Sequence, residues 1–305
     1  MAITAQDVKQ LKELTNCGMM DCKRALQESG GDIDAAVKYL REKGLAKAAK
    51  KAGRIAAEGL VACKVDEARK IGVIVEVNAE TDFAAKTDKF KEFVDLVVQT
   101  IIENDVADVD ALKEVNGFGT NEKIGDILTD RIATIGENIQ IRRFAKLNGD
   151  GLYSYVHDGG GSIIGTIVKI SADEYGDAVE NCAKGLLLHI TAMNPEFITT
   201  DSIPQSVVDD ERDTQLKLIV KENEAKPKPQ NVVEKILEGR MKKFFEESCL
   251  MTQSFVKDPD STVEKYITSI GKNVRLVEFV RFEKGEGIAK KEDNFADEVA
   301  SMISG

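Results

Sequence analysis

A nine-residue pattern recurs in this chain. Gly72-Val73-Ile74-Val75-Glu76-Val77-Asn78-Ala79-Glu80 aligns without a gap on Gly165-Thr166-Ile167-Val168-Lys169-Ile170-Ser171-Ala172-Asp173, with Gly, Ile, Val and Ala identical and three more positions alike in character. Gly59-Leu60 precedes the first copy as Gly151-Leu152 precedes the second, one residue out of step. Two unrelated strands can match by chance, but a gapless match with a matching element upstream favours duplication. β-branched runs bounded by turn residues read as strands, so each copy becomes a β-hairpin followed by a helix. The first has strands at 60–65 and 71–78, then a helix, beginning near Thr87, with Phe90, Phe93, Val94, Val97, Val98 and Ile101 on one face. The second has strands near 139–147, 152–156 and 162–171, then a helix carrying Val179, Cys182, Ala183, Leu186, Leu187 and Ile190. Between the copies, Ile124, Ile127, Leu128, Ile132 and Ile135 suit another helix. Helices covering one face of an antiparallel sheet make the fold class α+β.

At 305 residues the chain exceeds one small core, and two or more domains are expected. Its first 44 residues read as three short helices. Thr4 and Asp7 form a capping pair for the first, whose stripe is Val8, Leu11 and Leu14. The second covers 19–29 and ends at Gly30-Gly31; Asp32 caps a third over 33–43, stopped by Gly44. A separate linker helix follows over 45–57. So small a unit suits docking rather than catalysis. Further on, Pro204 sits in the first turn of a helix through Leu216, Ile219 and Val220. Lys226-Pro227-Lys228-Pro229 breaks it, and a second helix carries Val232, Val233, Ile236, Leu237, Met241, Phe244 and Phe245. The two make an antiparallel hairpin whose apolar stripe needs a partner, in self-association or protein docking. A helix over 261–270, with Glu264 at the capping-box position, leads to a strand at 274–282. Residues 283–291 are expected to be mobile, and a final docking helix from Asn294 presents Phe295, Val299 and Met302. The expected division is 1–54, three helices and linker; 55–147 and 148–200 plus 250–286, two core parts; 201–249, the hairpin; and 287–305, a carboxy-terminal module.

Between the first copy's last strand and its helix stands Glu80-Thr81-Asp82-Phe83. Either Asp82 caps a helix and Phe83 enters the core, or the pair presents a charge and a wedge to another molecule. Other chemistry is sparse. A net charge of −11 argues against direct nucleic-acid binding, which needs clustered Lys and Arg. The basic patch Lys43, Lys47, Lys50, Lys51 and Arg54 is either a phosphate-contacting helix or a solvated linker face. Asp158-Gly159-Gly160-Gly161-Ser162 leads into a strand, so it reads as a hairpin turn; a phosphate loop would open a helix. His157 reads as a turn residue, and His189 as a core histidine with its ring nitrogens hydrogen-bonded. Five scattered cysteines and two histidines offer no metal-ligand spacing. No nucleophile–base or paired-carboxylate arrangement stands out, so no catalytic centre is expected. With no apolar run near the roughly 20 residues that cross a bilayer, and no signal-peptide features, a cytoplasmic protein with reduced thiols and no membrane contact is expected.

Six stretches carry a family likeness: 14–26 around Cys17-Gly18-Met19-Met20, 47–54, Glu80-Thr81-Asp82-Phe83, Gly136-Glu137-Asn138-Ile139, 238–244 around Gly239-Arg240-Met241, and 282–288 around Lys284-Gly285. Their joint order resembles that of bacterial, full-length translation elongation factor Ts, over essentially the whole chain. The resemblance implies a guanine-nucleotide exchange factor for the GTPase elongation factor Tu, acting by binding, with no catalytic centre, metal or cofactor of its own. It implies a ubiquitin-associated-like (UBA-like) three-helix domain, a two-part core, a coiled-coil hairpin through which the chain could form a homodimer, and a carboxy-terminal docking helix. It makes Asp82 and Phe83 the pair that enters the GTPase and disturbs its Mg2+ and phosphate sites, with Thr81 and Ala84 beside them. Met19 and Met20 match residues that meet the GTPase domain, His157 matches the histidine of a second intrusion, and Lys12 stands at a basic contact position. The competing expectation is a non-catalytic interaction scaffold, which explains the architecture but not the ordered signatures.

Overall fold

The computed structural model describes residues 3–15, 17–223, 229–271 and 273–289. The expected helix from Asn294 and the break at Lys226-Pro227-Lys228 lie outside the described residues. Thr4 and Asp7 cap each other reciprocally, Thr4 N–H to Asp7 Oδ2 at 2.8 Å and Asp7 N–H to Thr4 Oγ1 at 3.2 Å, and so open α1 (Ala5–Thr15). α2 is Met19–Glu28, and Asp32 caps α3 (Ile33–Lys51) by accepting from Ala35 N–H at 2.8 Å. The core of Val8, Leu11, Cys22, Ala25, Leu26, Ala36 and Leu40 closes without Leu14, which is 62% exposed against expectation.

The chain continues through β1 (Glu58–Asp66), β2 (Ile71–Ala79), α4 (Asp82–Ala85), α5 (Asp88–Glu103), α6 (Val109–Glu114), α7 (Ile124–Ile135), β3 (Ile139–Asn148), β4 (Leu152–Gly159) and β5 (Ser162–Ser171). There follow α8 (Asp177–Met193), α9 (Gln205–Asn223), α10 (Gln230–Ser248), β6 (Ser254–Phe255), β7 (Asp258–Thr262), α11 (Val263–Ile270) and β8 (Arg275–Glu283).

Three expectations need correction here. α3 runs through Gly44, and the third helix and the linker helix are one. Gly44 keeps a helical φ and is buried where α3 meets α7; a methyl there would already touch Ala133 and Thr129, at 3.7 and 3.8 Å. Packing on α7 thus outweighs the roughly 1 kcal/mol that glycine costs a helix. β3 does not belong with the second copy, because it pairs with the free edge of β2 and completes the first sheet. Thr262, rather than Ser261, caps α11, since β7 carries the chain in extended form through Thr262.

The fold is α+β, with two antiparallel three-stranded sheets ordered β1-β2-β3 and β4-β5-β8. Strand alternation sorts their faces. Val73, Val75, Val77 and Ala79 of β2 pack with α5 and α7, while Ile74 points the other way, into a cluster with Val61, Leu147, Leu152, Ile167 and Phe282. Val168 and Ile170 of β5 likewise pack with α8. The sheets therefore lie back to back with helices outside. At the seam, a Cβ on Gly72 would come 2.4 Å from Ile167 Cδ1, and one on Gly165 would come 2.5 Å from Val61 Cγ1 and 3.2 Å from Ile74 Cδ1. Gly72 is thus met by Ile167, and Gly165 by Val61 and Cys63 with Ile74 beside them.

Both central strands shift register at matching positions, Glu76/Val77 against β3 and Lys169/Ile170 against β8. In β3 this bulge makes Arg142 the extra residue, so two consecutive arginines reach one carboxylate. Arg142 Nη1 lies 3.0 Å from Glu76 Oε1 and Arg143 Nε lies 2.7 Å from Oε2. Glu76 is fully buried and also accepts from Asn78 Nδ2 at 3.1 Å and Gly285 N–H at 2.8 Å. Burial pushes its carboxyl up, but the Gly285 amide, Asn78 and both arginines together outweigh burial and hold it below its ordinary value. The segment expected to be mobile is thus held at its start, where Gly285 is pinned and Lys284 pairs with Glu58.

Glu76→Gln should lower stability by about 2–3 kcal/mol in urea unfolding, under the roughly 3–5 kcal/mol of a fully buried broken pair because both guanidinium groups keep some solvent. A depressed carboxyl stabilises above the ordinary value of 4.5 and loses that contribution as pH falls through the folded value. Parent stability should therefore fall more steeply with acid below that point than the variant's.

Candidate partner-binding site

Beyond β2 the chain makes a single helical turn, α4. Thr81, rather than Asp82, is its N-cap: Thr81 Oγ1 accepts from Ala84 N–H at 3.2 Å. Thr87 closes the other end, donating its hydroxyl to the Ala84 carbonyl at 2.7 Å and accepting from Phe90 N–H at 3.3 Å to cap α5. Ala84 and Ala85 turn inward, 5% and 3% exposed, into the core beneath α5. Successive helix residues point about 100° apart, so the inward alanines leave Phe83 outward, at 80% exposure. The core reading of Phe83 is overturned. Ala84 also departs from expectation: its methyl supports the turn from within instead of standing on the surface beside the pair.

Asp82 is partly exposed. Lys86 Nζ donates to its Oδ2 at 2.6 Å, and this hydrogen bond holds the carboxyl below its ordinary value. The same ammonium lies 6.0 Å from the Phe83 ring centroid. The tip of the turn thus offers a phenyl ring, a carboxylate and an ammonium that balances it.

The other expected residues are surface groups. Met19 and Met20 are 57% and 71% exposed, and Lys12 is exposed on α1. His157 is exposed and is a strand residue, not a turn residue: it pairs with Ile164, and the turn is Gly160-Gly161, with φ of 63° and 84°. Its Nδ1 lies 3.3 Å from Tyr155 Oη, beside a shallow groove that Leu188 and Val256 also line. Sequence reasoning missed those two; Leu188 falls just off the core stripe of α8, a faint signal of exposure. His189 is a core residue. Its Nδ1 accepts from Val256 N–H at 3.1 Å, so Nε2 carries the proton toward Gln253 Oε1 at 2.9 Å, and burial lowers its pKa. Three members of the basic patch are used within the chain: Lys47 with Asp21 at 3.1 Å, Lys51 with the Ile132 carbonyl at 3.5 Å, and Arg54 with Glu80 at 3.4 Å.

Among the described residues no group of His, Cys, Asp or Glu converges to hold a metal, and no helix is long and apolar enough to cross a membrane. Burial pushes the Cys63 thiol up to about 12 and Cys182 up to about 11, which leaves both poor nucleophiles. A turn capped at both ends therefore presents an aromatic ring and a charge at the surface, and two exposed methionines stand on the amino-terminal helices.

Residues 80–286 match the family model described as elongation factor TS. The chain is 43% identical over 306 residues to elongation factor Ts of Halothermothrix orenii, spanning 100% of this chain and 99% of that protein. It is 42% identical over 311 residues to that of Magnetococcus marinus, spanning 100% of both, and 43% identical over 307 residues to that of Clostridium acetobutylicum, spanning 99% and 98%. The chain belongs to the elongation factor Ts family. It is a translation elongation factor, and the family's members are nucleotide exchange factors with no catalysed reaction of their own.

Because Phe83 stands outside the core, Phe83→Ala should leave thermal stability within about 0.5 kcal/mol of the parent. Phe90→Ala, at a fully buried position of α5, should cost about 3–5 kcal/mol. Calorimetry of the pair reads the orientation of the turn directly.

Proposed function

We propose that the chain binds elongation factor Tu and promotes GDP release, with Asp82 and Phe83 entering the GTPase near its nucleotide pocket and disturbing its Mg2+ and phosphate sites. Family membership supports the partner. The observation that carries the mechanism is a phenylalanine 80% exposed on a turn fixed at both ends.

Exchange breaks no covalent bond. It requires tighter binding to the nucleotide-free partner than to the nucleotide-bound one, a coupling that is equal for the two ligands. Weakening nucleotide a thousandfold takes about 4 kcal/mol. Burying one phenyl ring in the partner contributes about 1.5–3 kcal/mol, and Asp82 adds electrostatic disturbance once it leaves Lys86. In this reading Thr81 orients the pair, Ala84 braces it from inside, and Lys12, Met19, Met20 and His157 make further contacts.

The same reading assigns the parts. Residues 1–54 form the UBA-like docking domain; 55–147 and 148–200 plus 250–286 are duplicated core halves, a view supported by their matched sheet order, seam glycines and bulges. Residues 201–249 form a hairpin suited to homodimer formation. Its helices bury Ile219, Leu237 and Met241 together, yet Leu218 and Val220 stay 44% and 61% exposed. Residues 287–305 serve docking, and the protein works in the cytoplasm without holding nucleic acid or membrane.

Stopped-flow release of fluorescent GDP from elongation factor Tu tests this. The purified chain should accelerate release, and Asp82→Ala with Phe83→Ala should cut the acceleration about a hundredfold, equivalent to roughly 2.7 kcal/mol. An inert parent protein would overturn the reading; a fully active double variant would overturn the wedge alone.

A further inference from the structure

We propose that Glu137 is a positioning residue that fixes the Asp82–Phe83 turn in its outward pose; the inference rests on the exchange reading above. Glu137 follows Gly136, the left-handed residue (φ 89°) that ends α7 and turns the chain toward β3. That reversal sets the carboxylate against the turn. Oε1 accepts the Thr81 hydroxyl at 2.6 Å and Oε2 accepts the Thr81 N–H at 2.9 Å, a two-point hold on one residue. By donating its proton to Glu137, the Thr81 hydroxyl keeps its lone pairs for Ala84 N–H. The carboxylate thereby sets the cap that sets the turn.

A crossed contact answers it. Glu80 Oε1 accepts from Asn138 N–H at 2.6 Å, so neighbours 80 and 81 grip neighbours 138 and 137. Asn138, 2% exposed, donates in turn to the Arg54 carbonyl at 2.7 Å. Two segments far apart in sequence, Glu80-Thr81-Asp82-Phe83 and Gly136-Glu137-Asn138-Ile139, thus form one clamp.

The clamp answers a physical need. A four-residue helix cannot hold its own shape in water, and a phenyl ring free to fold back would have to be ordered at every encounter, at a cost in affinity and rate. No hydrogen bond or ion pair joins Glu137 to Asp82 or Phe83 among the described contacts; it acts on them through Thr81.

GDP release is measured over a range of exchange-factor concentrations, alongside amide hydrogen exchange of residues 81–87 in the free protein. Glu137→Ala should lower the maximal release rate about tenfold, the worth of one hydrogen bond to a charged group, with little change in the half-saturating concentration. Glu137→Gln keeps an acceptor for the Thr81 amide and a donor for its hydroxyl, so it should recover most of the rate and of the amide protection that Ala loses. On the Asp82→Ala, Phe83→Ala background, Glu137→Ala should change the rate no further. A parental maximal rate in Glu137→Ala, or an undiminished tenfold loss on that background, would overturn the proposal. If the parent accelerates nothing, the exchange reading has failed, and unchanged amide protection in Glu137→Ala would separately overturn the clamp.

Discussion

Two absent side chains let the centre of this protein close. Stacked sheets ordinarily lie about 10 Å apart with side chains between them, but a Cβ at Gly72 would run into Ile167, and one at Gly165 into Val61 and Cys63. The close seam buries β2 on both faces, which takes Glu76 out of water. A buried carboxylate persists only if every lone pair is met, and here the donors come from Asn78, Gly285 and the bulged pair Arg142 and Arg143. The bulge therefore sets the register of β3 on β2, from Asn148 back to Ile139. Upstream of Ile139 stand Asn138 and Glu137, already alongside Glu80 and Thr81. The outward turn is placed by a chain of constraints that begins at the seam.

In the proposed mechanism the exposed groups meet a large partner. Phe83, Leu14, Met19 and Met20 are each more than half exposed. A small ligand would need a concave, enclosing site. Under the proposed mechanism, the apolar projections would instead gain their burial energy by entering a cavity that the partner supplies. Lys86 pairs with Asp82 and lies over the Phe83 ring, so the projecting carboxylate is charge-balanced within the turn.

Much of the core was legible because period and face coincide. The stripe from Phe90 to Ile101 and that from Val179 to Ile190 both mark helices that the structure buries on the same residues. The paired strands were legible through the recurrent pattern, and the capping pair Thr4 and Asp7 through its spacing. What escaped was decided by long-range contact. Gly44 looks like a helix stop until α7 is seen to pack on it. A strand at 139–147 carries no mark of which sheet it will join, since that depends on a free edge of β2 far upstream. Phe83 was ambiguous because Phe83-Ala84-Ala85 is an apolar run on a single turn, and only packing decides which members face in. Thr81 and Asp82 are both good caps; Glu137, 56 residues away, decides between them.

α7 ties these observations together. On one side it packs on α3, where Gly44 admits Ala133, Arg41 pairs with Asp126, and Lys51 reaches the Ile132 carbonyl. At its end Gly136 hands the chain to Glu137, which holds Thr81. Arg54, just beyond α3, contacts the same clamp through Glu80 and Asn138. The amino-terminal helices and the projecting turn are therefore braced on one another by two short routes of polar and packed contacts. A partner that meets both surfaces finds them already spaced, so contact energy gained at the first is not consumed in ordering the second. Under the proposed exchange mechanism, binding energy from one end of the molecule would thus remain available to drive the phenyl ring in at the other.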